Sequence, residues 1–98
     1  MAMKPSQLLD THRDTIRHIV ELHKGLNPRV FGSVLHGTDT EKSDLNLLID
    51  GSESMTYFDL CPMQKKLLDL LGIPVDLMTP GSLRAPWKDG VIAEARPI

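Results

Sequence analysis

The run Phe31-Gly32-Ser33-Val34-Leu35-His36-Gly37, followed after a polar loop by Ser43-Asp44-Leu45-Asn46-Leu47-Leu48-Ile49, decides how this chain is read. It joins a Gly-Ser turn to a polar pair at i, i+2 on an apolar run. In an extended strand, residues two apart point to the same side. Asp44 and Asn46 therefore share one face, while Leu45, Leu47 and Ile49 fill the other. A third candidate, Asp76, stands alone in the apolar run Ile73-Pro74-Val75-Asp76-Leu77-Met78. On a neighbouring strand it would bring a third oxygen-bearing side chain to the same place. A phosphate-binding turn beside such a cluster is the anatomy of metal-assisted phosphoryl transfer. The middle member is an amide, not a carboxylate.

Working outward, Ser6 is the expected N-cap of a first helix, with Pro5 just before it. Leu8, Leu9, Ile16, Ile19, Val20 and Leu22 recur at helical spacing as far as Lys24, and Gly25 is placed to end the helix. A short strand at residues 29–31 leads into the Gly-Ser turn, and residues 33–37 open a short helix. Residues 38–43 form a polar loop, 44–49 the second strand and 50–54 another loop. The next helix ends near Leu71-Gly72. Either Thr56 or Asp59 can cap it; Thr56 would leave Pro62 as a kink. Residues 74–78 make the third strand, 79–82 a turn, and 87–95 a last helix weakened by Gly90. Helices alternating with strands in this way imply an α/β fold, a small mixed sheet packed with helices.

The 98 residues suit one domain spanning 1–98. A chain of this size buries above ~60% of its unfolded surface, so it can fold without staples. A net charge of −2 gives no general pull towards nucleic acid, so no direct nucleic-acid role is expected. The single Cys61 cannot form an internal disulfide, which suits a reducing cytoplasm. No apolar run approaches the ~20 residues of a membrane span, and the start Met1-Ala2-Met3-Lys4 lacks the apolar core of a signal peptide. No membrane association is expected.

Gly32-Ser33, nine residues, Ser43-Asp44-x-x-Leu47-Leu48, then Val75-Asp76-Leu77-x-Thr79-Pro80, resembles the minimal nucleotidyltransferases of the DNA polymerase beta superfamily. The ending Ala93-Glu94-Ala95-Arg96-Pro97 is similar to theirs as well. The resemblance runs over residues 30–80 and implies a bare polymerase beta palm-like core. Members are usually encoded beside an all-helical HEPN protein and act as its antitoxin. It further implies transfer of AMP, or another NMP, from a triphosphate such as ATP to a tyrosine of that HEPN toxin, a ribonuclease, in a hetero-oligomer. Two Mg²⁺ ions would be held by three acids. Carried over residue by residue, the first acid is Asp44, the third is Asp76, and the second falls on Asn46. The Asn46 oxygen can ligate a cation but brings no charge.

The same resemblance makes Gly32 and Ser33 the cradle of the triphosphate tail, with Gly37 closing the short helix. Members often carry Arg where this chain has Val34 and His36, so His36 is the remaining candidate for a phosphate there. Ser43, next to Asp44, shapes the loop or touches the nucleotide. Asn46 leaves two leading readings open: an impaired antitoxin enzyme, or an inactive module that neutralises the toxin by binding. A nucleotide-sensing subunit is a third. A small-molecule acceptor would need a further domain to form its pocket, which this length does not provide.

Other residues carry less. Asp50 shares strand parity with Asn46 but reads as a turn former. Lys65, Lys66 and Asp69 read as a solvated helix face; Arg84, Lys88 and Arg96 read as solvated charges, with a nucleotide or partner contact as the alternative. Tyr57, Phe58 and Trp87 are expected in the core, with an interface role open. His12, His18 and His23 lie on the first helix at spacings unsuited to a metal pair.

Overall fold

The computed structural model describes residues 3–98, with the backbone alone at residue 57. Its elements run α1 (Pro5–Leu22), β1 (Gly25–Phe31), α2 (Ser33–His36), β2 (Leu45–Gly51), α3 (Tyr57–Leu71), β3 (Val75–Met78), a 3-10 turn (Pro80–Ser82), α4 (Trp87–Glu94) and β4 (Arg96–Pro97). The strands form one sheet in the order β3-β2-β1-β4. β2 and β3 are parallel, and β1 runs antiparallel to both β2 and β4. This is the expected small mixed sheet, with one added edge strand.

Alternation along β2 builds the core. Leu45, Leu47 and Ile49 are fully buried against Ile16 and Val20 of α1 and Met63 and Leu67 of α3. On both helices the buried residues recur at i, i+4, one stripe per helix. Truncating a side chain such as Leu47 to Ala should cost about 2–5 kcal/mol. That is a large part of the ~5–15 kcal/mol that holds a domain together.

The start of α1 differs from expectation. Lys4, not Ser6, is the N-cap residue, and Pro5 occupies the first helical position, where a missing N–H costs nothing. The Ser6 N–H donates instead to Oδ2 of Asp39 at 2.9 Å, from 33 residues further along the chain. Asp39 is 7% exposed. Burial alone would raise its pKa. Hydrogen bonds from the Ser6 backbone and side chain and from its own backbone N–H, with the charge of Lys4, outweigh burial and lower it. A carboxylate at the positive end of a helix is favoured for the same reason.

α1 also ends earlier, at Leu22, because Lys24 takes a φ of 66°. β1 then begins at Gly25 rather than Arg29. A Cβ at Gly25 would press on Val20 and Ile49, so a glycine lets the strand lie against the helix. Asn27 has a φ of 50°, and the β1–β2 register shifts between Leu26 and Arg29. This irregularity hides the strand's first half from an alternation test.

For α3 the structure selects Thr56 as the cap. The Phe58 N–H donates to Thr56 Oγ1 at 3.2 Å, and the Thr56 N–H donates to Asp59 Oδ2 at 2.9 Å. Asp59 thus serves as the partner in a capping box rather than as the cap. Pro62 lies inside a continuous helix. Its missing N–H frees the Phe58 carbonyl on an exposed face, where water can serve it. Phe58 is 88% exposed and Trp87 71% exposed, so neither joins the core. The expectation for the Tyr57 side chain lies outside the described residues. Among the described residues, no helix is long and apolar enough to cross a membrane.

Candidate active site

Asn46 of β2 is the register partner of Asp76 of β3, as Leu45 is of Val75. Partners on adjacent strands point to the same side. Leu45 and Val75 are buried in the core, so Asn46 and Asp76 share the opposite face. Asp44 directly precedes β2, and the Leu45 N–H is fixed to the Pro74 carbonyl at 3.1 Å. Alternation places Asp44 on the face of Asn46. Asp44 and Asp76 are exposed and Asn46 is half-buried.

The turn meets this face from the other side. Phe31, which ends β1, is the second register partner of Asn46. Gly32 therefore follows immediately beside it. Gly32 has φ 75° and ψ −147°, a conformation that disfavours a side chain. A Cβ there would also overlap the Asn46 amide nitrogen. α2 then opens at Ser33, with the His36 N–H on the Gly32 carbonyl at 3.1 Å. Gly37 closes it in the left-handed region, at φ 71°. The first N–H groups of such a turn have no partner within it.

The remaining site residues settle as follows. The Ser43 Oγ accepts from the Thr40 N–H at 2.8 Å and shapes the loop that delivers Asp44. Val34 packs against the core. The His36 Nε2 lies 3.2 Å from Glu94 Oε2, a partner that sequence reading did not pick out. Asp50 is not a turn residue. β2 runs on to Gly51, and Asp50 Oδ1 accepts from Arg29 Nη2 at 2.6 Å, with Arg29 only 12% exposed. The parity of Asp50 with Asn46 was the available signal.

Among the described residues, no three His, Cys, Asp or Glu side chains converge as a metal site. The triad offers two carboxylates and an amide oxygen. That all-oxygen set suits a hard cation such as Mg²⁺, which commonly takes one or two carboxylates with phosphate and water. The missing side chain at Gly32 lets the turn lie directly against Asn46.

A glycine turn thus stands beside two carboxylates and an amide carried on and just before two parallel strands. The chain belongs to the nucleotidyltransferase domain family, whose model matches residues 12–98, and it is a minimal member. It is 33% identical over 82 residues to a Methanocaldococcus jannaschii protein named "Putative protein adenylyltransferase", covering 84% of each chain. The solved structure of a "putative minimal nucleotidyltransferase" superposes with a TM-score of 0.85 at 32% identity, covering 95% of each chain. A toxin–antitoxin crystal structure with AMP-PNP shares the fold at a TM-score of 0.72 and 20% identity, over 86% of this chain and 69% of that one.

Proposed function

We propose that this chain is an antitoxin-type protein nucleotidyltransferase whose rate is held down by Asn46. It moves AMP, or another NMP, from a triphosphate to a hydroxyl of a protein toxin. The observation that carries the reading is the register pair Asn46–Asp76 on the sheet face opposite the core, directly beside the Gly32 turn. A protein acceptor is supported by the adenylyltransferase relative, and a toxin partner by the toxin–antitoxin neighbour. The sequence resemblance sharpens the acceptor to a tyrosine of a HEPN ribonuclease.

Gly32 lets backbone N–H groups approach the phosphates, and Ser33 adds a hydroxyl donor. His36 donates from its imidazole. The acceptor oxygen attacks the α-phosphorus, the bond to the bridging oxygen breaks, and pyrophosphate leaves. The acceptor proton passes to a carboxylate, and Asp76, exposed on the edge strand, takes it. Asp44, the Asn46 amide oxygen and Asp76 would hold Mg²⁺, as one ion or two, which offsets phosphate charge and makes the hydroxyl more acidic.

Asn46 also favours a second reading, a module that silences the toxin by binding alone. The test is incubation with α-labelled ATP, Mg²⁺ and a HEPN ribonuclease from the same genome, followed by mass spectrometry. Nucleotide on a partner tyrosine supports the enzyme. A stable complex without transfer supports the binding module. Neither transfer nor complex overturns both.

A further inference from the structure

We propose that Glu94 is a positioning residue that holds α4 against the phosphate turn through His36, and that a bound triphosphate tail takes His36 from it. The inference rests on the proposed function, because the anion is the triphosphate of that site.

Topology places α4 where this matters. β3 and β4 are parallel and lie at opposite edges of the sheet. Residues 79–95 must therefore cross both β2 and β1. Parallel crossovers are right-handed in about 98% of cases. α3 carries the chain from β2 to β3 over the core face. The β3–β4 crossover travels the other way across the sheet, so the same hand puts it over the opposite face. That is the face of Asn46 and Asp76. Leu48 agrees: it alternates with Leu47, faces that side, and is fully buried although outside the core cluster.

The crossover is firm at its ends and loose between them. Pro80–Ser82 packs on β2. β4 pairs with β1, and the Ile98 N–H donates to the Pro28 carbonyl at 3.2 Å with the side chain buried. α4 itself buries no residue. Its side-chain tie to the turn is His36 Nε2 to Glu94 Oε2, 3.2 Å, with the two side chains 55% and 59% exposed. They share a cleft of about 360 Å³ with Leu35, Ala93, Ala95 and Arg96.

One ring nitrogen serves one anionic partner well at a time. It can face the Glu94 carboxylate, as it does here at 3.2 Å, or a phosphate oxygen. Glu94 also places a negative charge beside a site for a polyanion. Tether and triphosphate are therefore competitors. Filling the turn releases α4 from the reacting face, which fixes an order: triphosphate first, protein acceptor second.

The test pairs hydrogen exchange of the α4 amides with calorimetric ATP binding, without the partner protein. Glu94→Ala should speed α4 exchange in the free chain and tighten ATP binding by about two- to fivefold, the scale of an exposed pair. Glu94→Gln, which keeps an acceptor, should fall between it and the parent. ATP should speed α4 exchange in the parent and add nothing in Glu94→Ala. The affinity gain should vanish in a His36→Ala background, where a merely structural role for Glu94 would leave affinity equal or lower. A folded Glu94→Ala chain that binds ATP no better, or gains equally without His36, overturns the proposal. ATP binding with unchanged α4 exchange overturns this inference alone; no ATP binding by any variant overturns the proposed function and this exchange with it.

Discussion

The amide nitrogen of Asn46 lies so close to the Cα of Gly32 that a methyl group there would overlap it. The turn and Asn46 are therefore packed as one unit. Gly32→Ala meets two obstacles, the overlap and a φ of 75°. The conformation alone, in a region that only glycine commonly visits, costs another residue about 1–3 kcal/mol. Urea unfolding should show at least that loss, with weaker ATP binding beside it. Asn46→Ala should relieve part of the damage, since it removes the clashing atom. Simple additivity of the two substitutions would show that the contact does not couple them.

Asp39 should make stability depend on pH. Its folded-state pKa is lowered by the hydrogen bonds at the start of α1. A group of this sign adds stability above its unfolded pKa of about 3.9 and loses it as pH falls through the lower folded value. Asp39→Ala should cost about 0.5–2 kcal/mol at pH 7, the range for a lost helix cap. The gap to the parent should be narrower at a pH below that lowered folded value than at pH 7. Urea midpoints at the two pH values measure it, and a constant gap would mean the carboxylate charge contributes nothing.

Ser33→Ala should weaken ATP binding by roughly 1–2 kcal/mol, near the value of a hydrogen bond to a charged group. The Ser33 carbonyl accepts from the Thr38 N–H at 3.0 Å, a backbone bond that closes the turn, so the turn should survive loss of the hydroxyl. Calorimetry checks the affinity. An unchanged value in a chain that binds ATP would put the nucleotide elsewhere.

Legibility in the sequence followed the range of the physics involved. Leu45, Leu47 and Ile49 announced the β2 face because period-2 alternation is local. The Asn46–Asp76 pairing followed once two apolar runs were set side by side. What stayed hidden is non-local or too short for a pattern. Asp39 reaches α1 from 33 residues away. β4 is two residues long and includes Pro97, a poor strand signal that an edge position tolerates. Thr56 and Asp59 both fitted a cap because in the fold they form one reciprocal pair. Phe58 and Trp87 looked like core on type alone, but they open their helices on the exposed side.

Asn46 itself gives the decisive test. Asp44, Asn46 and Asp76 bring two carboxylates and one amide to the sheet face opposite the core, with Asn46 between its Phe31 and Asp76 register partners. Asn46→Asp adds a negative charge and a second bridging oxygen at almost unchanged volume. Mg²⁺-dependent transfer from ATP to the partner should rise by roughly 10²-fold or more, the scale of restoring one preorganised electrostatic group. The gain should disappear in Asp44→Asn or Asp76→Asn backgrounds, because groups that act as a unit are not additive. Melting without metal should fall slightly, since three neighbouring carboxylates repel one another, and recover when Mg²⁺ is added. That second readout reports ligation without relying on turnover. Equal transfer by the parent and the Asn46→Asp chain, with no Mg²⁺-dependent change in melting, would remove this position from the ligand set and sink the metal assignment with it.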